Sequence, residues 1–143
     1  MLGVKPYLTF NGNCREAFEF YRDALGGEII FTQTFGESPM PADGFEDLIM
    51  HTAINLGDSM IMASDCQPGQ PSFVGNNVSL ALGVDGPDEA EAMFNRMAVG
   101  GKVTMPLQET FWALRFGMLT DKFGINWMFN CDKPQGEDPH TAT

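Results

Sequence analysis

The first half of the chain alternates apolar and polar positions in a way that predicts one helix among four strands. Residues 5–10 alternate with the period of two that is typical of a strand. Asn13 is a favourable N-cap for a helix, and Glu16 three residues later completes a capping-box-like pair. Apolar residues then recur at helical spacing as far as Leu25, after which Gly26-Gly27 ends the helix. The remaining strands are predicted over 28–35, 48–56 and 59–64.

The second half repeats this order after a segment rich in Gly, Pro, Gln and Ser. Residues 78–84 predict a strand, and Pro87 suits the first position of a helix. Gly100-Gly101 closes that helix, and three more strands are predicted over 102–108, 112–120 and 125–131. The apolar stripe of the helix consists of Ala90, Met93, Phe94, Met97 and Ala98.

The two halves match at a single offset of 74 residues, the separation between Asn11 and Asp85. Chance pairing of Gly-rich turns is the alternative, but matched turns at both helix ends favour a duplication. Each half would leave one sheet face under-covered, so the two are expected to pack around a shared core. The matched pairs are Asn11-Gly12 with Asp85-Gly86, Phe20 with Phe94, Arg22 with Arg96, and Gly26-Gly27 with Gly100-Gly101.

Alternation also separates the two faces of each predicted sheet. In the first strand of each half, one face is apolar and is expected to pack beneath the helix. The opposite face is small and partly polar, which suits the lining of a cleft. In the last strand, Met128 lies between Asn126 and Asn130 on the face opposite Trp127. The apolar set is Leu8, Phe10, Val78, Leu80, Leu82 and Val84, and the opposite set is Lys5, Tyr7, Thr9, Ser79, Ala81 and Gly83.

Composition narrows the classes of function. The chain has 143 residues, 43% of them hydrophobic, which suits one compact globular domain. Its 19 acidic and 8 basic residues give a net charge of −11. This argues against a nucleic-acid partner, because phosphate binding needs clustered Lys and Arg. No apolar run reaches the length of a bilayer span and no leader pattern is present, so no membrane partner is expected. Three cysteines without CxxC spacing predict reduced thiols in a cytoplasm.

The most distinctive stretch of the sequence is 108–117, QETFWALRFG, which concentrates aromatic rings around one carboxylate. Such rings could line a pocket for a small organic ligand. The alternatives are core packing or a dimer seam. Methionines on the predicted strands suit either an adaptable core or an apolar ligand. The candidate ligand-binding residues are Tyr7, Met62, Ser79, Phe111, Trp112, Phe116, Trp127 and Met128.

Two side chains are candidates for proton transfer. Glu109 could act as an acid or a base among the neighbouring rings, and the alternative is a carboxylate that is solvated or paired with Arg115. His51, on a predicted strand, could act as a general base. Its alternative is a structural histidine hydrogen-bonded to a neighbour. Nothing in the sequence marks Cys14 or Cys66 as a nucleophile.

Several short motifs resemble the PhnB-like branch of the vicinal oxygen chelate superfamily, which includes glyoxalase I, extradiol dioxygenases and bleomycin-resistance proteins. The motif QETFWA at 108–113 is the most specific, and the resemblance covers residues 4–131. The other motifs are 6–14, Phe20-Tyr21 with Leu25-Gly26-Gly27, 61–65, and 120–124 with Trp127.

The resemblance implies an α+β fold of two tandem βαβββ modules that form an open eight-stranded barrel with a central cleft. It also implies a homodimer, which is common in the family. Module one is then predicted over 4–65, a linker over 66–76 and module two over 77–131, all within a single domain over 1–131. Residues 132–143, which include His140, are predicted to be a disordered tail.

Catalytic members of this superfamily hold a divalent ion with His and Glu or other oxygen ligands from the first and last strands of each module. None of the residues at the matching positions is His, Asp or Glu. Asp65 lies one residue beyond a candidate position. We therefore expect no metal site and no other cofactor. The candidate positions hold Lys5, Pro6, Tyr7, Met62, Ser64, Ser79, Ala81, Asn126 and Met128.

The expected function is metal-free binding of a small, partly apolar organic molecule in the cleft. The alternative is a lyase or isomerase of the glyoxalase kind that uses Glu109 or His51 for proton transfer. A third class is a pure interaction module. The methyltransferase label that some PhnB-like proteins carry is not supported, because no glycine-rich loop follows a strand to hold a nucleotide-like cofactor.

Overall fold

The computed structural model describes residues 2–134, which divide into two compact units between Phe73 and Val74. This division falls inside the predicted linker. No helix in these residues is long and apolar enough to cross a bilayer. The first unit contains β1 (Tyr7–Phe10), α1 (Cys14–Leu25), β2 (Glu28–Thr34), β3 (Ile49–Leu56) and β4 (Ser59–Asp65). The second contains β5 (Leu80–Gly83), α2 (Pro87–Ala98), β6 (Lys102–Gln108), β7 (Ala113–Thr120) and β8 (Asn126–Asp132).

Both units have the same sheet topology. The strand order is β1-β4-β3-β2 in the first sheet and β5-β8-β7-β6 in the second. The first strand of each unit runs parallel to the last, and the other neighbours are antiparallel. Each four-stranded sheet is open. The predicted α+β class with two tandem βαβββ modules is therefore confirmed.

The first strand of each module is shorter than predicted. β5 pairs with β8 only from Leu80 to Gly83, so Val78 precedes the ladder and is 68% exposed. The prediction that Val78 packs beneath the helix is therefore wrong. At the other end of the module, β8 continues through Asp132, where the tail was predicted to begin. The rest of the predicted tail, from residue 135 onward, lies outside the described residues.

The core of each module lies between the sheet and its helix, and the last strand shows this most clearly. Along β8, Trp127, Phe129 and Cys131 are fully buried, whereas the alternating residues are partly exposed. This confirms the predicted faces of the strand. The burial of two large rings on one face removes apolar surface from water, which stabilises the module by roughly 1.5–3 kcal/mol per side chain.

The start of α1 is capped differently from the prediction. Asn13 occupies the N-cap position but its side chain makes no capping hydrogen bond. Instead Oδ1 of the buried Asp65 accepts hydrogen bonds from the backbone amides of Gly12 and Cys14, each at 3.0 Å. Its Oδ2 accepts another from the amide of Ile49 at 2.9 Å. One carboxylate at the end of β4 thus ties the helix start to β3 and satisfies amides that would otherwise lack acceptors.

The repeated Gly-Gly pair reflects two separate requirements at the end of each helix. Gly26 and Gly100 have φ values of 73° and 75°, in the left-handed region that other residues rarely adopt. Gly27 and Gly101 have no room for a Cβ, because it would collide with a backbone carbonyl oxygen of β3 or β7. The matched turns that suggested a duplication therefore have the same physical basis in both modules.

The first strand and the helix of the two modules correspond at an offset of 73 residues, one less than the Gly-Gly pairs. The predicted matches of Asn11-Gly12 with Asp85-Gly86 and of Arg22 with Arg96 are therefore wrong by one position. Tyr21 and Phe94 are both buried, whereas Phe20 is only half-buried. Phe94 therefore corresponds to Tyr21, and the predicted match of Phe20 with Phe94 is wrong by one position. Val99 separates α2 from Gly100 and restores the offset of 74. The matching buried positions are Ala17 with Ala90, Tyr21 with Phe94, and Ala24 with Met97.

Candidate ligand-binding site

The face of the first sheet that points away from α1 brings together several of the predicted site residues. We call it the first open face. Strand register places Tyr7 beside Met62, Met62 beside Ala53, and Ala53 beside Phe31. His51 lies opposite Gln33 on the same face. We restrict the name first open face to Tyr7, Thr9, Phe31, Gln33, His51, Ala53, Met62 and Ser64, whereas Glu28, Asn55 and Met60 continue the same side of the sheet toward the turn between β3 and β4.

Three aromatic side chains cluster on the first open face. The hydroxyl oxygen of Tyr7 lies 3.0 Å from Nδ1 of His51, and the two rings stack with centroids 5.6 Å apart and planes at 27°. Phe31 contacts the imidazole of His51, with ring centroids 5.6 Å apart and ring planes at 50°. Tyr7 and Phe31 are each 48% exposed. The cluster therefore offers accessible ring surface and one polar ring to a ligand.

Phe31 was missed by the sequence reasoning, although a signal was present. It alternates with Thr32 and shares a face with Gln33 along β2, and the same alternation that assigned faces to the first and last strands would have assigned it. Its position beside His51 depends on the pairing of β2 with β3, which includes register shifts on both sides of the Phe31–Gln33 segment. Local periodicity does not predict those shifts.

His51 is held by one of its two ring nitrogens. Tyr7 contacts Nδ1, and which of the two atoms donates depends on the tautomer of the ring. Among residues 2–134, no hydrogen-bond partner is found for Nε2. The predicted alternative of a histidine bonded to a neighbour is correct for Nδ1. Because Nε2 has no such partner, a bound molecule could still hydrogen-bond to the ring or exchange a proton with it.

The second sheet has a corresponding face, pointing away from α2, which we call the second open face. Phe116 lies opposite Asn130, and Met118 lies opposite Met128. Ser79 precedes β5 and is half-buried. The second open face comprises Ala81, Gly83, Lys102, Met105, Gln108, Phe116, Met118, Thr120, Asn126, Met128 and Asn130. Two of the predicted ligand-binding residues, Phe116 and Met128, are therefore on one face.

The aromatic stretch forms a row of rings at the turn between β6 and β7. Phe111 contacts Trp112 with ring centroids 4.8 Å apart, and Trp112 contacts Phe116 at 5.3 Å. The turn is fixed by the hydroxyl oxygen of Thr110, which accepts hydrogen bonds from the amides of Trp112 and Ala113. Phe111 is 87% exposed at its tip. The row thus runs from a buried ring in β7 to solvent.

Trp127 belongs to the core and not to an open face. Its side chain is fully buried and its indole Nε1 donates to Oδ2 of Asp121 at 2.9 Å. The alternation of β8 points it toward α2, opposite Met128. The ring has no surface left for a ligand, so we correct its assignment from ligand-binding to structural.

Glu109 lies at the surface of the second module. Its side chain is 63% exposed, and Oε2 lies 3.7 Å from Nζ of Lys133. The predicted pairing with Arg115 is not seen, because Nη1 of that residue donates to the backbone carbonyl of Leu114. An exposed ion pair of this kind contributes little to stability. Within the second module, the described hydrogen bonds and ion pairs give Glu109 no partner other than Lys133.

The carboxylates within the modules do not suit a divalent ion. Across residues 2–134, no three His, Cys, Asp or Glu side chains come close enough together to hold a metal. The two buried acids, Asp65 and Asp121, already accept hydrogen bonds. Asp65 binds three backbone amides, and Asp121 binds the amides of Phe123 and Ile125 as well as the Trp127 indole. These donors therefore do not fit the metal centre of catalytic superfamily members, which needs free carboxylate or imidazole ligands.

Comparison with known proteins places the chain in a family. The model of the Glyoxalase/Bleomycin resistance protein/Dioxygenase superfamily matches residues 3–129. The chain belongs to this superfamily. Protein YjdN of Escherichia coli (strain K12) is 39% identical in an alignment 144 positions long, which covers 92% of this chain and 97% of that protein. The crystal structure of protein PA1353 from Pseudomonas aeruginosa is 50% identical, with a TM-score of 0.85 over 92% of this chain and 98% of that one.

More distant structures share the fold. One is described as a putative 3-demethylubiquinone-9 3-methyltransferase, PhnB protein, from Bacillus cereus. It is 24% identical, with a TM-score of 0.78 over 91% of this chain and 99% of that one. Another is the fosfomycin resistance protein FosX from Listeria monocytogenes, crystallised with Mn(II) and a phosphonic acid, at 11% identity and a TM-score of 0.65 over 94% of this chain and 95% of that one. The predicted superfamily is thus confirmed, with a PhnB protein among its structural neighbours.

Proposed function

We propose that this glyoxalase-fold protein binds a small, partly apolar organic molecule on the first open face, without a metal ion or other cofactor. The observation that carries the proposal is the cluster of Tyr7, His51 and Phe31. Binding sites for small molecules are mostly apolar and contain a few polar groups that fix orientation. The cluster has this character, since its two half-exposed rings flank an imidazole.

The residues around the cluster support the same conclusion. Met62, which is partly exposed, supplies further apolar surface next to Tyr7, and methionine adapts its shape to a ligand. Thr9, Ser64 and Gln33 border them with neutral polar groups. From the second module we retain Ser79, Phe111, Trp112, Phe116 and Met128 as proposed ligand-binding residues.

Thermal-shift screening tests the binding proposal. A panel of metabolites and antibiotics is added to the protein with and without divalent ions, because a ligand that binds the folded state must raise the melting temperature. We expect at least one compound to stabilise the protein equally in both conditions. Tyr7→Ala should then lower the shift, whereas Phe73→Leu, which changes an 88% exposed ring outside both open faces, should not. Equal shifts in the wild type and Tyr7→Ala would remove the ligand from the first open face.

A second candidate function is supported by the hydrogen bond between Tyr7 and His51. In a glyoxalase-type lyase or isomerase, a base removes a proton from the carbon beside a carbonyl and returns it to a neighbouring atom. Nε2 of His51 could do this while Tyr7 holds the ring through Nδ1. Glu109 remains the other proposed proton carrier, although its ion pair with Lys133 places it at the surface.

The hemithioacetal of methylglyoxal and glutathione is a direct probe of this second function. Thioester formation that is lost in His51→Gln and kept in Glu109→Gln would assign the proton transfer to His51. The opposite pattern would assign it to Glu109. Absence of turnover by the wild type, with and without added divalent ions, would remove the glyoxalase reaction.

We also propose a homodimer and a cytoplasmic location. Exposed apolar residues on the edge strands β2 and β6, including Ile30 and Val103, are compatible with a partner subunit. The described structure has Cys14, Cys66 and Cys131 as free thiols, which is compatible with a reducing compartment. Light scattering after size-exclusion chromatography tests the dimer, and a mass near 15.7 kDa would contradict it.

A further inference from the structure

We infer that the ligand of the first open face carries a neutral, planar aromatic ring with a hydrogen-bonding substituent. This inference rests on the proposed binding function and specifies its ligand class. Three features of the Tyr7, His51 and Phe31 cluster support it: the orientation of the rings, the absence of carboxylate, ammonium and guanidinium groups within the cluster, and the unpartnered Nε2 of His51.

The first feature is the geometry of the rings. Tyr7 and His51 stack within 27° of parallel, and their hydrogen bond holds the tyrosine ring in this orientation across the sheet. Phe31 is tilted by 50° from the imidazole. Aromatic rings prefer offset stacking or edge-to-face contacts at centroid distances of roughly 4.5–7 Å. A flat ring could stack on the exposed surface of Tyr7 or Phe31 beside the imidazole, whereas a puckered ring would contact either one less closely.

The second feature is that the ring cluster contains no carboxylate, ammonium or guanidinium group. The same holds for the other residues of the first open face. Beyond that face on the same side of the sheet, Glu28 pairs with Asn55, which lies two residues, or about 7 Å along the strand, from the Ala53 partner of Phe31. Lys5 is exposed and precedes Tyr7 by two residues. A charged ligand would lose hydration without gaining a counter-charge from the cluster itself, which favours a neutral ligand.

The third feature is Nε2 of His51. Tyr7 binds Nδ1, and no partner is found for Nε2 within residues 2–134. In the neutral imidazole this nitrogen is either a donor or an acceptor, depending on the tautomer. A hydroxyl group can serve either role. We therefore expect a hydroxyl or a similar substituent near the edge of the ligand ring.

The experiment compares two probes with the same carbon skeleton. The first is 2-naphthol, which is planar and aromatic, and the second is trans-decahydro-2-naphthol, which is saturated and carries the same hydroxyl group. Both are titrated into the intact protein while the His51 ring protons are followed by NMR. The chain has two histidines, so a His140→Gln variant assigns their signals.

We expect both probes to shift the His51 signals, with 2-naphthol binding about tenfold more tightly because of the added ring contacts. Naphthalene, which lacks the hydroxyl group, should bind several-fold more weakly than 2-naphthol. Equal affinities for the planar and saturated probes would overturn the aromatic inference and leave the proposed binding function in place. Failure of both probes to shift the His51 signals would contradict the site itself.

Two variants show whether the rings cause the preference. Phe31→Leu keeps an apolar side chain and removes one ring, so it should reduce the preference for 2-naphthol to within about threefold. Phe73→Leu makes the same change at an exposed position outside the open faces and should leave the preference unchanged. A preference that persists at tenfold in Phe31→Leu would overturn the role of that ring. Far-UV circular dichroism of both variants verifies that they are folded.

Discussion

The hydroxyl oxygen of Tyr7 lies 3.0 Å from Nδ1 of His51, and this contact joins two stacked rings across the first sheet. The two residues are 44 positions apart in sequence, on β1 and β3, with β4 between them. Because β1 pairs with β4 and β4 with β3, both side chains emerge on the same face. The imidazole of His51 is thus oriented by a tyrosine from the first strand.

Removal of this hydroxyl group tests the orientation. In Tyr7→Phe the ring stays and the hydrogen bond is lost, so the free energy of unfolding should fall by no more than about 1 kcal/mol. The His51 nitrogen signals should change strongly, because Nδ1 loses its partner. Nitrogen-15 NMR of the ring measures this tautomer balance directly. Unchanged nitrogen shifts would show that the contact does not persist in solution.

A much larger effect is expected at Asp65. Asp65→Ala leaves the amides of Gly12, Cys14 and Ile49 without their acceptor. Buried donors without partners cost roughly 1–3 kcal/mol each, and part of this is recovered as water enters. We expect a loss of about 3 kcal/mol in urea unfolding. Asp58→Ala removes an exposed carboxylate from the neighbouring turn and should change stability by less than about 0.5 kcal/mol. Similar losses in the two variants would rule out a capping role for Asp65.

The Gly-Gly pairs provide a test of backbone packing. In Gly101→Ala the new Cβ would collide with the Thr120 carbonyl oxygen and approach the Asp121 backbone at 3.0 Å. The strand has to shift, so we expect a loss of about 1–3 kcal/mol. Gly83→Ala is the matched control, since nothing lies within 4 Å of its Cβ position. In thermal unfolding experiments, we expect a lower melting temperature for Gly101→Ala and no change for Gly83→Ala. An equal change in both variants would contradict the steric explanation.

The buried thiol of Cys14 predicts how stability depends on pH. Burial raises the pKa of Cys14 well above its ordinary value of 9.0, and the nearby Asp65 adds to the rise. Below that value both the folded and the unfolded states keep the proton, so the thiol has no effect on the pH dependence of stability. Above it the unfolded state releases the proton while the folded state retains it. Stability should therefore fall by about 1.4 kcal/mol per pH unit from this group.

Comparison of wild type and Cys14→Ala in urea at several values between about pH 9 and pH 10 isolates this contribution. The slope of the unfolding free energy against pH should be shallower in the variant, by an amount that corresponds to at most one bound proton. Parallel slopes in the two proteins would contradict the raised pKa.

The same burial should protect Cys14 and Cys131 from thiol reagents, whereas the half-buried Cys66 should react first.

Individual residues show which structural features the sequence patterns predicted correctly and which they did not. Alternation along β8 correctly assigned Met128 and Trp127 to opposite faces. It could not show that the face with Trp127 is buried and therefore inaccessible to a ligand, because burial depends on what packs against the strand. The same limit explains why Asn13 was predicted to cap α1. The amides at the helix start are instead bound by Asp65, which is distant in sequence and is brought there by β4.

By itself the sequence determined the order of the elements and their duplication, since turn residues and periodicity are local properties of the chain. Its short motifs indicated the superfamily by their resemblance to known members. Only the tertiary structure decided which side chains meet. Strand order β1-β4-β3-β2 and the register shifts of β2 place Tyr7, His51 and Phe31 together, and no local pattern encodes that pairing. The aromatic stretch at 108–117 therefore identified the family, whereas the proposed ligand site depends on contacts between three separate strands of the first module.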